Sequence, residues 1–284
     1  MQAKVDSKRF GPWALITGAS SGIGREFARQ IAASHINVVL VARRQALLDT
    51  LGTEISLDFG VKHRVVVADL SDEGFIAGLA DATRDLDIGL VISNAGTGNP
   101  GRFTDKDREE LAMTLRLSAL AHAELALHFG RKLAERGTGG LLFVGAMNAD
   151  MGEPFMAHDA GAKAYVQSLG LALHEEFKPR GVYVTVLPPG LTDTPVLAKF
   201  GLDPKTMPIK PMKVDQTVAE GLNALAVNRA IIIPGRMNRI MRAILPATVT
   251  RSMMMKMMEK MPAIANPAPR SGSGNRLHGG DRMM

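Results

Sequence analysis

A glycine-rich motif near the start of the chain has the spacing of a phosphate-binding turn. It follows a short apolar run, residues 13–17, and precedes a helical pattern that opens at Arg25. The motif comprises Gly18, Ser20, Ser21, Gly22, Ile23 and Gly24. Glycines allow a tight turn and a close approach of backbone N–H groups to a phosphate, and a helix start adds the positive end of its dipole. The sequence therefore predicts a pyrophosphate-binding turn, and the alternative is a glycine-rich turn without a ligand.

A carboxylate and an ammonium group occur four residues apart later in the chain. Asp159 and Lys163 share one face of the predicted helix and can form an ion pair. His158 could supply a proton near neutral pH, although a lone histidine before a helix is more often solvated or capping. Tyr165 lies about 200° around the helix from Lys163, so it is expected to pack rather than react. Asp159 and Lys163 are the candidate catalytic pair.

Alternating apolar and amphipathic stretches provide the elements that must position these groups. Seven short apolar runs are predicted to be buried strands, and helical spacing of apolar residues occurs between them. The runs are residues 13–17, 38–41, 64–68, 89–93, 141–144, 182–187 and 230–234. Parallel strands need a crossover connection, which is usually a helix. The pattern predicts an α/β fold with a doubly wound parallel sheet.

Further motifs follow the strands in chain order, and as a set they resemble the short-chain dehydrogenase/reductase family. They are the glycine-rich turn, Asp69, Asn94-Ala95-Gly96, Pro189-Gly190 and Thr194. The resemblance implies that Asp69 contacts adenine, that Asn94 to Gly96 shape the pocket floor and that Thr194 holds the nicotinamide amide. Each residue alone has a structural alternative: Asp69 as a helix N-cap, Asn94 as a turn residue and Thr194 as a loop hydroxyl.

The resemblance also implies the fold, the domain and the assembly. It covers residues 13 to about 235 and implies a single Rossmann-type domain, residues 1–235, which binds a nicotinamide dinucleotide and reduces or oxidises a small molecule. Relatives of this kind commonly form dimers or tetramers, so a homo-oligomer is expected.

The end of the second strand carries the residues that choose the cofactor. A site that prefers NAD places an acidic residue there for the ribose 2′-hydroxyl, and that charge would repel a 2′-phosphate. Here the acid is missing, and Arg43 and Arg44 follow the strand. Arginine favours a phosphate, so NADP(H) is predicted, although the two residues could simply begin a solvated helix.

The catalytic set departs from the family pattern at two positions. Asp159 stands where the family has a Tyr, four residues before the retained Lys163, and Ala146 stands where it has a Ser. A third family residue, an Asn, has no counterpart in residues 105–140. Losing a general acid costs about 10² to 10⁴ in rate. Three hypotheses remain: reduction of an imine or iminium stabilised by Asp159, carbonyl reduction with a different proton donor, and a catalytically silent NADP(H)-binding protein.

Composition bounds the protein class. The chain has 284 residues, of which 46% are hydrophobic and 22% charged, and it has no cysteine. Disulfides and thiolate metal sites are therefore excluded. No apolar stretch reaches the roughly 18 residues of a membrane-spanning helix, and the basic residues form no long run. A soluble, cytoplasmic protein without nucleic-acid or membrane partners is expected.

The chain changes character after Pro234. Residues 236–261 are predicted to form a helical extension, and residues 262–284 a flexible tail that is rich in Pro and Gly. The extension carries an apolar face of Met253, Met254, Met257, Met258 and Met261. Core or subunit packing is the favoured interpretation, because methionine fills irregular gaps. A lid over an apolar substrate and a weak membrane-surface contact assisted by Arg236, Arg239 and Arg242 are the alternatives.

Overall fold

Six of the apolar runs form one parallel sheet. The computed structural model describes residues 5–205, 207 and 210–265. The strands are β1 (Trp13–Thr17), β2 (Asn37–Ala42), β3 (His63–Val67), β4 (Ile88–Ser93), β5 (Gly139–Val144) and β6 (Val182–Leu187). Their order in the sheet is β3-β2-β1-β4-β5-β6, and all neighbours are parallel. The order reverses between β1 and β4, which opens a crevice beyond the carboxyl ends of these two strands.

Helices cover both faces of the sheet. They are α1 (Ser7–Phe10), α2 (Gly22–Ala32), α3 (Gln45–Phe59), α4 (Phe75–Ala82), α5 (Arg108–Leu115), α6 (Ala121–Arg136), α7 (Ala157–Phe177), α8 (Pro195–Lys199), α9 (Val214–Ala226), α10 (Arg236–Ile244), α11 (Ala247–Met258) and α12 (Pro262–Ala265). One apolar core lies on each side of the sheet. Central strands buried on both faces explain why the strands read as continuous apolar runs. The architecture is therefore the predicted single α/β domain of Rossmann type.

The seventh predicted strand, residues 230–234, does not form. Only Ile231 makes a parallel bridge, to Val186 on β6, and two backbone hydrogen bonds flank it. Pro234 has no N–H group to extend a ladder, and Gly235 then turns the chain at a φ of +85°. The sheet therefore has six strands where the sequence predicted seven.

The C-terminal segment folds back onto the domain. α10 and α11 occupy most of the predicted helical extension. The predicted tail begins too early, because residues 262–265 form α12 and Ile264 is buried with Met258 and Met261. Residues 266–284, the rest of that predicted tail, lie outside the described residues. Within the described part of the chain, no helix is long and apolar enough to cross a membrane.

Candidate active site

Thr17 connects the two strands between which the sheet order reverses. Its hydroxyl donates to the carbonyl of Ile92 at 3.2 Å and accepts from the backbone N–H groups of Asn94 at 2.9 Å and Ala95 at 3.0 Å. The Asn94 side chain donates in turn to the Thr17 carbonyl at 2.9 Å. Gly18 follows with a φ of +67°, a conformation that favours glycine. The predicted glycine-rich turn and the Asn94 segment are thereby held against each other.

The first turn of α2 is open for an anion. Ser21 is its N-cap residue, but its side chain makes no capping hydrogen bond to the described chain. Arg44 instead donates to the hydroxyls of Ser20 and Ser21, both at 2.8 Å. Free N–H groups, a helix dipole and a guanidinium therefore converge on one place. These residues fit the phosphates of a dinucleotide.

Asp69 lies beside Arg43, the first of the two arginines that follow β2. Its carboxylate accepts from the Ser71 N–H at 3.0 Å and hydroxyl at 2.6 Å, and from Arg43 at 3.2 Å. Partial burial opposes ionisation, but the hydrogen bonds from Ser71 and Arg43 outweigh it and lower the pKa of Asp69. Asp69 is not a helix N-cap, because α4 begins at Phe75 with Gly74 as its N-cap; its bonds to Ser71 instead form a local turn that holds the carboxylate in place.

Thr194 lies against the glycine-rich turn from the other side of the crevice. A Cβ atom on Gly22 would be 3.4 Å from the Thr194 side chain, so loop and turn are in close contact. The loop itself is held by a hydrogen bond from the Met147 N–H to the Pro189 carbonyl at 3.0 Å. Gly190 packs against the Asn238 side chain of α10. The predicted residues Pro189, Gly190 and Thr194, in the loop after β6, therefore border the crevice.

Lys163 is a half-buried residue of α7 whose ammonium lies at the end of β5. Its ammonium donates to the Val144 carbonyl at 2.9 Å, and a Cβ atom on Gly96 would lie 3.0 Å from Nζ. Burial lowers the pKa of Lys163 to about 8, and the nearby charge of Asp159 opposes that shift. The ammonium thus lies between the Val144 carbonyl and the Gly96 segment, and among the described residues it forms no ion pair with Asp159, contrary to the expectation from their spacing.

Asp159 is buried in the first turn of α7, where its side chain accepts from the Asn99 N–H at 3.3 Å. Burial raises the pKa of this carboxyl group, while the Asn99 hydrogen bond and the charge of Lys106 oppose the change. Lys106 is held nearby by the Asn99 carbonyl at 2.8 Å and by Glu110 at 2.5 Å. A buried carboxyl group with few donors around it is a group that a cationic ligand can satisfy.

Glu153 is a second acid that sequence reasoning missed. It is half-buried, and burial together with the charge of Asp159 raises its pKa to about 6. The loop that carries it turns at Gly152, with a φ of +77°, and at Phe155, with a φ of +61°. No motif marks Glu153 in the sequence, because its proximity to Asp159 depends on this loop conformation.

His122 is another residue that the sequence does not single out. It is fully buried, and burial and the charge of Lys163 lower its pKa well below the ordinary value. Its Nδ1 is 2.7 Å from the Ser93 hydroxyl, and its Nε2 is 3.0 Å from the Ala95 carbonyl. A neutral ring that donates from Nε2 and accepts at Nδ1 satisfies both contacts. His122 therefore holds the Ala95–Gly96 segment in position.

A widened helical turn brings a hydroxyl to the same segment. Residues Arg116–Leu120 form a π-helical turn between α5 and α6. Ser118, in this turn, is buried and accepts from the Thr97 N–H at 3.2 Å. Ser118 thereby holds the segment that follows Gly96 through a side-chain hydrogen bond.

Two side chains considered from the sequence lie away from the reacting centre. His158 donates from Nε2 to the Leu111 carbonyl at 2.6 Å, which ties α7 to α5 and engages that nitrogen. Tyr165 was expected to pack, but 47% of it is exposed, because it points away from the domain on α7. The imidazole of His158 and the phenol of Tyr165 therefore do not reach Lys163.

An apolar wall closes one side of the Asp159 region. Phe155, Met156, Phe200 and Leu202 pack against Met258, Met261 and Ile264 of the C-terminal segment. A small pocket beside the wall is lined by Asn99, Gly101, Phe103, Lys106, Phe155, Met156, Ala157, His158 and Asp159. Only part of the predicted methionine face packs here, since Met253 and Met257 are exposed. The site can accept an apolar substrate beside a buried carboxyl group.

Comparison with known proteins agrees with this arrangement. A very-long-chain 3-oxoacyl-CoA reductase of Neurospora crassa is 37% identical over 179 residues, which is 61% of this chain and 54% of that protein. This match therefore spans only about half of the relative's length. A 7β-hydroxysteroid dehydrogenase structure is 28% identical with a TM-score of 0.81, covering 89% of this chain and 99% of the other.

A second solved structure carries the cofactor. It is a short-chain dehydrogenase from Sphingobium yanoikuyae in complex with NADPH, 28% identical with a TM-score of 0.75, covering 94% of this chain and 100% of the other. The family model described as short chain dehydrogenase matches residues 12–205. This match covers the glycine-rich turn, Asp159, Lys163 and Thr194, and we conclude that the chain belongs to the short-chain dehydrogenase/reductase family of oxidoreductases.

Proposed function

We propose that this protein is an NADP(H)-dependent reductase of protonated imines, in which the Asp159 carboxylate takes the place of the family's Tyr. The observation that carries the proposal is a buried carboxyl group one helical turn before a half-buried lysine, beside an apolar wall. A carboxylate cannot donate a proton to a developing alkoxide, but it can stabilise a cation. Ala146, in the Ser position, supplies no hydroxyl for a substrate oxygen, and an iminium needs none.

The proposed residues act at two ends of the crevice, one for the cofactor and one for the substrate. The open turn of α2 would bind the pyrophosphate, Arg44 would bind the 2′-phosphate, and Lys163 would hold the nicotinamide ribose. NADPH, when bound, supplies the hydride. Asp159 would raise the pKa of a bound imine, so that a larger fraction carries the proton and is electrophilic at carbon. The apolar wall would exclude water and strengthen this charge interaction.

Cofactor preference is tested by removing Arg44. We expect Arg44→Ala to raise the KM for NADPH by about 10- to 100-fold and to leave the KM for NADH nearly unchanged, because a charge-assisted contact to a 2′-phosphate contributes about 1.5 to 3 kcal/mol. Steady-state kinetics with both cofactors measure this. Arg84→Ala is the matched control, since Arg84 is an exposed arginine on another helix end. Equal losses for both cofactors would contradict an NADP(H) preference.

Substrate class is tested by NADPH consumption with paired substrates. Each pair is a cyclic imine and a ketone of the same ring size and apolar substituent, and NADPH binding is confirmed in the same sample by fluorescence. We expect turnover of the imines and little turnover of the ketones. Binding without any turnover would contradict the proposal and favour the non-catalytic NADP(H)-binding protein.

Carbonyl reduction is a second candidate, and Glu153 is the observation that favours it. A half-buried carboxyl group with a pKa of about 6 is a suitable proton donor near neutrality. Two of the similar proteins are named as a 3-oxoacyl-CoA reductase and a hydroxysteroid dehydrogenase. This candidate predicts that ketone turnover falls as the pH rises above about 6, because Glu153 then loses its proton. It also predicts that Glu153→Gln removes ketone turnover.

A further inference from the structure

The geometry points to a docking surface for an anionic membrane on the C-terminal helix pair. We define the outer face as the six apolar side chains that α10 and α11 direct toward solvent: Met237, Ile240, Ile244, Val249, Met253 and Met257. This inference does not depend on the substrate proposed above, and it develops the membrane-surface alternative of the sequence analysis against the expectation that membrane contact is absent.

α10 is an amphipathic helix with its polar side toward the protein. Arg239 pairs with Glu220 at 2.7 Å, and Arg242 pairs with Asp150 at 2.5 Å, so these arginines anchor the helix to the domain. On the opposite side, Met237 is 66% exposed and Ile244 is 70% exposed. A helix that only needed to pack on the domain would bury its apolar side. The reversed orientation leaves an apolar row available for a partner.

α11 continues the same surface. Its inner side is fixed by Met258 in the apolar wall and by Arg251, which donates to the Met151 carbonyl at 2.8 Å. On the outer side, Val249, Met253 and Met257 recur every four residues and are all exposed. Exposed apolar rows on two consecutive helices mark an interaction site rather than scattered surface residues.

The charge of the segment identifies the kind of partner. Residues 236–261 contain six Lys or Arg and one Glu, a net charge of +5 out of +6 for the whole chain. Arg236, Lys256 and Lys260 are exposed and form no ion pair with the described residues. Apolar rows bordered by free cations are the pattern of helices that lie in the interface of an anionic bilayer.

A second copy of the chain fits this surface less well. A two-fold contact would place the same surface on both sides and so would bring the unpaired cations Arg236, Lys256 and Lys260 of both copies together. Anionic headgroups would neutralise that charge, and the apolar rows would enter the acyl boundary. Docking in this way would also bring the apolar wall beside Asp159 close to the lipid phase, since Met258 of α11 belongs to that wall.

Vesicle flotation of the full chain tests the proposal. The vesicles are phosphatidylcholine alone or with about one third phosphatidylglycerol, each at low and high salt. We expect flotation with the anionic vesicles, weakened by salt, and binding that is about tenfold or more weaker for Ile244→Asp and Met253→Asp. Leu57→Asp is the matched control, because Leu57 is 81% exposed on α3 and its replacement changes the charge equally.

Other results would overturn the proposal. Circular dichroism is the control for folding of the variants. The double variant Lys256→Glu and Lys260→Glu tests the charge without changing any apolar contact, and we expect it to weaken flotation as well. No flotation of the wild-type chain, or equal flotation of all variants, contradicts membrane docking. A dimer in light scattering that Ile244→Asp separates, together with no flotation, assigns the surface to a second copy instead.

Discussion

Asp159→Asn is expected to lower kcat/KM for imine reduction by about 10² to 10⁴, the range typical of losing a group that controls protonation in the transition state. The amide keeps the size of the side chain but removes the charge that stabilises an iminium. The affinity for NADPH should change little, because Asp159 is proposed to contact the substrate and not the cofactor. Steady-state kinetics and fluorescence titration of NADPH measure the two effects separately.

The same substitution has a consequence for Lys163 that a structural role alone does not predict. The charge of Asp159 raises the pKa of Lys163, which burial lowers to about 8. Removing that charge lowers the lysine pKa further, so any loss of activity caused by lysine deprotonation starts at a lower pH in Asp159→Asn. Asp81→Asn is the control, since Asp81 is an exposed surface residue on α4. Imine turnover within about twofold of wild type would contradict the role of Asp159.

Gly24→Ala should abolish measurable NADPH binding, a loss of about 100-fold or more. A Cβ atom at this position would lie 2.3 Å from the Gly18 carbonyl oxygen and 2.6 Å from the Asn94 side-chain nitrogen. Neither neighbour is the free end of a flexible side chain, so α2 must move away from the turn that approaches the phosphates. The melting temperature should fall as well, since the same contact joins β1, β4 and α2.

Gly78→Ala provides the matched glycine control for that experiment. Gly78 lies in α4, and a Cβ atom there meets nothing within 4 Å. Alanine is favoured over glycine in a helix interior by roughly 0.5 to 1 kcal/mol, so this variant should be as stable as wild type or more stable. NADPH affinity of Gly24→Ala equal to that of Gly78→Ala would contradict the assigned packing of the turn.

The parts of the fold that the sequence predicts are those set by local physics. The glycine-rich turn is specified by residues that are adjacent in the chain, and the six strands are specified by continuous apolar runs, although the edge strand β3 was predicted to be buried and is only half-buried. The run at residues 230–234 looks the same by composition, yet only Ile231 bridges to the sheet. Whether an apolar run joins a sheet depends on the space beside β6, which no local pattern contains.

The parts of the site that the sequence missed depend on contacts between distant segments. Glu153 and Asp159 are brought together by a loop with two residues at positive φ. His122, on α6, hydrogen-bonds to the carbonyl of Ala95 in the loop after β4. The methionine pattern predicts an amphipathic helix but not which side faces the domain. Met258 turned inward and Met253 outward because the wall at Phe155 and Phe200 accepts only one side of α11.

Imine reduction is tested most directly by the transfer of deuterium from C4-deuterated NADPH to the substrate. The label reports hydride arriving at the substrate carbon regardless of background NADPH oxidation. The protein is incubated with a cyclic imine and the matched ketone in one vessel, and both products are analysed by mass spectrometry. We predict deuterium at the former C=N carbon of the amine and little labelled alcohol, with amine labelling lost in Asp159→Asn. Labelled alcohol without labelled amine would contradict the iminium assignment and favour carbonyl reduction with Glu153 as the acid.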